Sequence, residues 1–289
     1  MWHAGAQVKV TKAVITAAGR NQNRLPLQVL VDSDGAQKPA IRIILEEAAS
    51  AGVDEAAIII TPGDREAYNS SVQEGPVRVH FIEQQPLGGY GHALLCGREF
   101  VGDSPFLHLV SDHLYISGRP ERCAQQLVAV AQAEDCSVSA VQPTRESKLP
   151  FYGTLGGKGV PNNPRLYQID KILEKPTPTV AEQELIVPGL RAGHYLCFFG
   201  MHVLSSGIMK ILGDAQAAAR NGNLPLTPAL SDLASREKYL AYEVEGRRYN
   251  LGEKFGILNT QLALGLAGND REEILAQMVE VLATRANAK

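Results

Sequence analysis

Ala13-Val14-Ile15-Thr16-Ala17-Ala18-Gly19 decides the fold. A short apolar strand runs straight into small residues and a glycine. A polar loop, Arg20-Asn21-Gln22-Asn23-Arg24, follows and closes at Leu25-Pro26. Residues 39–50 then carry apolar side chains at Ile41, Ile44, Leu45 and Ala48, with Arg42, Glu46 and Glu47 between them. That is helical periodicity, and Gly52 stands where a C-terminal stop belongs. Ala57-Ile58-Ile59-Ile60 reads as a strand buried on both faces. Strand, turn, crossover helix and strand make a βαβ unit, the seed of a parallel sheet. Small residues after the first strand let an anionic ligand approach backbone N–H groups, though the same turn also serves as plain architecture.

The alternation of strand and helix continues outward from this unit. Residues 77–82 alternate as a strand, 91–100 read as a helix and 105–110 as a strand. A helix is expected over 120–133, with Pro120 in its first turn, and a strand over 136–141. The weakest joints are the Gly/Pro-rich stretch 153–164 and the segment 216–223. The pattern predicts an α/β domain over 1–262, a mixed and mostly parallel sheet flanked by helices, with irregular excursions near 150–190. A helical tail over 263–289 repeats apolar residues at Ile274, Leu275, Met278, Val279 and Leu282, a face for the fold core or a second subunit to cover.

Composition narrows the class. The chain has 289 residues, enough to bury a large core. A net charge of −3 without any Lys/Arg block leaves no mark of a nucleic-acid or membrane surface. Cys96, Cys123, Cys136 and Cys197 are scattered without metal spacing, which favours a reducing compartment. The first ten residues lack the apolar core of a signal peptide, and no run approaches membrane-spanning length. The cytoplasm is the expected location.

Five places carry chemical potential, each beside a plainer reading. The loop from Gly19 to Arg24 is the first. Gln84-Gln85-Pro86-Leu87-Gly88-Gly89-Tyr90-Gly91-His92 pairs an amide able to read a base edge with backbone-permissive glycines; it also reads as a flexible turn before a helix. Ser111-Asp112-His113 follows a strand, where a carboxylate could hold Mg²⁺ or merely cap a turn, and His113 is better read as structural. Leu173-Glu174-Lys175-Pro176 sets an acid beside a base. Neighbours on a strand point oppositely, so both reach one ligand only if the chain bends there. Arg248-Tyr249-Asn250-Leu251-Gly252-Glu253-Lys254 reads as a turn in which Asn250 or Glu253 could assist a metal and Lys254 a phosphate. Asn and Gly also fill such turns for backbone reasons.

The order of these segments resembles the sugar-1-phosphate nucleotidyltransferases, in particular the bacterial UTP–glucose-1-phosphate uridylyltransferases. The matching residues are Lys12-Ala13-Val14-Ile15 with Ala17-Ala18-Gly19, and Lys38-Pro39 followed by Glu46-Glu47-Ala48 and Ala51-Gly52. Pro86-Leu87-Gly88 with Gly91-His92-Ala93, Val101-Gly102-Asp103 with Pro105-Phe106, Asp112 and Tyr152-Gly153 come next. Glu174-Lys175-Pro176 and Gly246 with Arg248-Tyr249 and Gly252-Glu253-Lys254 complete a collinear series over roughly residues 8–265. The resemblance implies a Rossmann-like fold and transfer of a uridylyl group from UTP to a sugar 1-phosphate, glucose-1-phosphate foremost, with Mg²⁺ as cofactor and a possible homodimer. It places Ala17, Ala18, Gly19, Gln84, Gly88, Gly91 and His92 against the nucleotide, Gln84 as base reader eight residues before His92. Gly153, Glu174, Lys175 and Lys254 fall to the sugar phosphate, Asp112 and Asn250 to the metal, and Arg24, Asp112 and Lys175 to catalysis.

The chain departs from that family in its signature loop. Where the family runs any residue, Gly, Thr, Arg, this chain has Arg20, Asn21, Gln22 and Asn23. Arg20, Arg24 or Lys38 then supplies the missing charge, and if Arg24 replaces the phosphate-gripping arginine, Arg24→Ala is expected to weaken UTP far more than sugar phosphate. The family's following lysine has no counterpart in residues 27–35, and its second metal carboxylate is Asn250, a neutral donor. The alternative reading is a catalytically weak or inactive relative that binds sugar nucleotide as a sensor or regulatory subunit.

Overall fold

The computed structural model describes residues 9–19, 23–73, 75–218 and 222–286. Among them, nine strands form the main sheet, in the order Arg78–Glu83, Glu55–Ile60, Lys12–Thr16, Phe106–Val110, His194–Leu204, Ser137–Arg145, Tyr239–Glu243, Asn163–Glu174 and Gly153–Val160. His194–Leu204 and Asn163–Glu174 run against the other seven, so the sheet is mixed and mostly parallel. The opening βαβ unit is as the sequence suggests, with helix Ala40–Ser50 between two paired parallel strands and Gly52 at a φ of +87° just past its end.

Both faces of the sheet are covered. Ala13, Ile15, Ala56, Ile58 and Ile60 join one apolar layer with Ile41, Ile44 and Leu45 of the crossover helix. Val14, Ala57 and Ile59, one residue out of phase, join the other, against Leu94, Ile208 and Leu230. The period-two alternation thus feeds two cores from one strand, which explains why these strands read as unbroken apolar runs.

Several expectations change. The stretch near 150–190 is not mainly irregular, since Gly153–Val160 and Asn163–Glu174 pair antiparallel in the main sheet. Glycine at 153, 156, 157 and 159 conceals the first of these strands, because glycine offers no side chain to alternate. Pro120 lies before its helix, which spans Cys123–Glu134. The helix expected over 91–100 is two, Tyr90–Cys96 and Arg98–Val101, parted at Gly97. Gly246–Asn250 is a strand, not part of a turn, and pairs with His113–Ser117. Residues 262 and 263 both sit inside helix Gly256–Ala267, and a second helix, Arg271–Ala286, leaves Val279 and Leu282 exposed.

Glu47, placed by periodicity among the polar residues of its helix, is buried. Its Oε1 accepts a 2.7 Å hydrogen bond from the backbone N–H of Ala124, in the first turn of helix Cys123–Glu134. One helix therefore caps another. No described helix is long and apolar enough to cross a membrane.

Candidate active site

A cleft of about 1050 Å³ opens over one end of the sheet, lined among others by Ala18, Gly19, Gln84, Asp112, Gly153, Glu174, Lys175 and Asn250. Residues almost 240 positions apart in sequence thus share one wall. Parallel strands explain much of this convergence: Lys12–Thr16, Arg78–Glu83 and Phe106–Val110 all point the same way and deliver the residues that follow them to one edge.

Gln84 is buried, and its contacts fix which way its amide faces. Nε2 donates to the carbonyl of Gly89 at 2.9 Å and meets His92 Nδ1 at 3.1 Å. A carbonyl only accepts, so the NH₂ must lie on that side, and His92 Nδ1 takes its second hydrogen. The amide oxygen, with no partner among the described residues, is left for the cleft. His92 is not on the lining; it steers the residue that is. Gly88 and Gly91 are also off the lining, and Gly91 has a packing reason to be glycine. A Cβ there would come within 2.9 Å of the carbonyl oxygens of Leu224 and Pro225. The glycine run is therefore read at least partly by the 222–225 backbone, to which Gly91 N–H donates at 2.8 Å.

Asp112 and Asn250 are brought together by the small sheet, in which Asn250 opposes His113. The backbone N–H of Leu251 donates to Asp112 O at 2.8 Å and locks this pairing. The Asp112 carboxylate makes no ion pair or hydrogen bond among the described residues, while Asn250 Oδ1 accepts from Gly252 N–H at 2.8 Å and keeps one lone pair. Among the described residues no group of three or more His, Cys, Asp or Glu forms a metal cage. One free carboxylate with a neighbouring amide oxygen fits Mg²⁺, which usually takes one or two protein carboxylates and draws its other ligands from water and substrate phosphates. His113 beside it is buried with Nδ1 unpartnered, and burial pushes its pKa down.

Glu174 and Lys175 do reach the same cleft. The bend is at Lys175 itself, whose φ of +46° places a non-glycine residue in the left-handed region. Such backbone is uncommon away from turns and functional sites. Glu174 Oε2 accepts from Thr227 Oγ1 at 2.6 Å, and a Cβ on Gly153 would lie 3.3 Å from the same oxygen and 2.9 Å from the Phe198 ring. Glycine at 153 keeps that corner open.

Other assignments land elsewhere. Arg24 is off the lining, its guanidinium 3.7 Å from Asp64 and its side chain 68% exposed. Asn23 turns the same way and donates to Asp64 at 2.6 Å. Arg20 lies outside the described residues. Ala17 is buried beneath the cleft, bonded through its N–H to Ile59 O at 2.8 Å. Lys254 is exposed, its ammonium 5.1 Å from the Phe255 ring centre, and its neighbour Glu253 takes the cleft position. Burial alone would push the Glu253 carboxyl up, but the Lys148 ammonium and the Tyr152 hydroxyl, each at 2.9 Å, hold it below its ordinary range. Arg248 supports that wall from behind, 3.7 Å under the Tyr152 ring and bonded to Phe198 O at 2.6 Å.

Tyr90, Phe198, His202 and Thr227 line the cleft without having been singled out. Tyr90 lay inside a quoted motif, but its neighbours drew attention to glycine. Phe198 and His202 sit mid-strand in an apolar run, and nothing local marks them.

The family model described as Nucleotidyl transferase matches residues 26–250. UTP–glucose-1-phosphate uridylyltransferase YngB of Bacillus subtilis (strain 168) is 30% identical, the match covering 95% of this chain and 96% of that protein. A second UTP–glucose-1-phosphate uridylyltransferase of the same strain is 28% identical over 95% of this chain and 97% of its own length. Among solved structures, a UDP-glucose pyrophosphorylase complexed with UDP-glucose superposes with a TM-score of 0.74 at 24% identity, covering 88% of this chain and 98% of that one. A UDP-glucose pyrophosphorylase from Acinetobacter baumannii gives 0.76 at 22% identity over 95% and 100% of the two chains. These last two likenesses concern the fold.

Proposed function

The chain belongs to the nucleotidyl transferase family, and from that premise we propose that it transfers a uridylyl group from UTP to a sugar 1-phosphate, glucose-1-phosphate foremost, releasing pyrophosphate. The observation that carries this reading is the orientation of Gln84. With both amide hydrogens engaged by Gly89 and His92, only its oxygen faces the cleft. A lone acceptor suits the imide N–H of uracil.

The remaining groups divide the work. An oxygen of the sugar phosphate attacks the α-phosphorus of UTP, the bond from that phosphorus to its bridging oxygen breaks, and pyrophosphate leaves with the electron pair. Such chemistry asks the protein mainly for positioning and charge compensation. Glu174, oriented by Thr227, accepts from sugar hydroxyls, and Lys175 meets the sugar phosphate. Asp112 and Asn250 would hold Mg²⁺, which supplies charge neutralisation for the phosphates. The charges on the wall support this reading. Among the described lining residues the carboxylates are Asp112, Glu174 and Glu253, and Lys175 is the one Lys or Arg.

One observation favours a second reading, a relative that binds sugar nucleotide with little turnover. Asn23 and Arg24, at and beside the family's arginine position, both turn to Asp64 and bring no cation to the cleft. Pyrophosphate release with UTP, glucose-1-phosphate and Mg²⁺ separates the two. Release supports the transferase. No release, with UDP-glucose binding by calorimetry, supports the binding protein, and no binding of UTP or UDP-glucose overturns both.

A further inference from the structure

A row of buried polar side chains crosses four neighbouring strands of the main sheet, and one of its members, His202, lines the cleft. His108 and His202 oppose each other in register, and His202 in turn opposes Ser139. The two imidazoles stack 5.7 Å apart at 13°, and Tyr239 closes the row by bonding its hydroxyl to Ser139 Oγ. Every one of these side chains is buried.

Burial makes the direction of each bond deducible. Val14 O can only accept, so His108 Nδ1, 2.9 Å away, carries its hydrogen there. His108 Nε2 is then an acceptor, and the Tyr90 hydroxyl at 2.8 Å donates to it. On the other side, the Tyr239 hydroxyl has Ser139 Oγ as its partner among the described residues and donates to it. Ser139 O–H is thereby directed to His202 Nδ1, which accepts. Any other order would leave either the Tyr239 or the Ser139 hydrogen buried without an acceptor among the described residues, which is costly. His202 therefore carries its hydrogen on Nε2. Burial, with His108 alongside, holds the His202 pKa well below its ordinary value, so the ring stays neutral.

That Nε2–H has no partner among the described residues, and His202 lines the cleft. It also belongs to a definite end of the cleft. Its ring meets Phe198 edge-on with centroids 5.1 Å apart, and the Phe198 ring borders Gly153, beside Glu174. Resting on the reading of this corner as the sugar end, we propose that His202 Nε2–H donates to a hydroxyl oxygen of the bound sugar. Ser139 and Tyr239 act as positioning residues that fix the tautomer. A neutral donor suits a hydroxyl, whereas phosphate would call for charge.

The test is calorimetry of UDP, UDP-glucose and UDP-galactose against the wild type, His202→Phe and His202→Gln, with melting curves to verify folding. The wild type should bind one UDP-hexose more tightly than UDP. His202→Phe should weaken that UDP-hexose by about 10- to 100-fold, the cost of leaving a buried hydroxyl unpaired, and leave UDP unchanged. His202→Gln, which keeps an N–H, should recover most of the loss. Equal loss of UDP and UDP-hexose, an unchanged UDP-hexose affinity in His202→Phe, or a wild type that gains nothing from either hexose overturns the assignment of His202 alone. A wild type that binds none of the three overturns the functional reading on which it rests.

Discussion

Gln84 and His92, eight residues apart, meet at 3.1 Å, amide nitrogen to ring Nδ1. The contact spans a loop and the first turn of helix Tyr90–Cys96, and together with the Gly89 carbonyl it holds the Gln84 oxygen toward the cleft. His92 itself does not line the cleft, so in the proposed function it acts on a nucleotide through Gln84. His92→Ala should weaken UDP about three- to tenfold, the scale of one hydrogen bond, and Gln84→Ala should weaken it at least as much. The double variant should lose little beyond Gln84→Ala alone, because the two changes share one interaction. Additive losses by calorimetry would mean that His92 contacts the nucleotide directly.

Asp112 presents a carboxylate with no partner among the described residues next to Asn250, whose oxygen is neutral. The proposed Mg²⁺ site thus has one protein charge. Asp112→Asn should abolish Mg²⁺-dependent pyrophosphate release, a loss of at least about 100-fold for a group stabilising the reacting phosphates. Asn250→Asp restores a second charge and should tighten the apparent Mg²⁺ affinity. Turnover of Asp112→Asn equal to the wild type would remove Asp112 from the metal.

Arg24 marks where local sequence stops being informative. Its place after the altered loop suggested a phosphate contact, yet its guanidinium lies by Asp64 with its side chain 68% exposed. Asp64 is buried and already accepts from Asn23 at 2.6 Å, so a 3.7 Å contact to a guanidinium that stands in water adds roughly 0–1 kcal/mol. Arg24→Ala should therefore change UTP affinity less than about twofold, with at most a small fall in melting temperature. A tenfold loss of UTP affinity would show that the side chain swings to the cleft when nucleotide binds.

The same contrast runs through the molecule. The opening βαβ unit was legible because Ala13 to Thr16 and Ala57 to Ile60 feed two apolar layers, and such strands must be apolar at every position. The positions of Gln84, Asp112 and Glu174 on one cleft were legible because each stands in or next to a short motif whose order is itself information. The Gly153–Val160 strand was hidden by its glycines, and Gly246–Asn250 by turn-forming residues that lie partly beyond it. His202 and Phe198 were hidden for a different reason. Their place on the cleft wall depends on which strands lie beside them, and strand order in a mixed sheet is a long-range property that a local window does not contain.

Glu47 provides a test of the fold that is independent of any ligand. Burial raises its pKa to about 7, against the opposing effects of the Ala124 N–H and the Arg122 guanidinium. The unfolded chain would titrate it near the ordinary value of 4.5. Between these two values the folded protein holds the extra proton, so this group makes stability fall as pH rises from about 4.5 to about 7. Above that range both states are ionised and the cost is constant, at most about 3–4 kcal/mol. Glu47→Gln keeps an oxygen to accept from Ala124 and has no charge to bury, while Arg122, 38% exposed, can turn to water. The variant should therefore lose this part of the pH slope and melt a few degrees higher than wild type at pH 8, with little difference at pH 4.5. Parallel melting curves across that range would mean that the Arg122 charge and the Ala124 N–H already offset the burial of the Glu47 carboxylate.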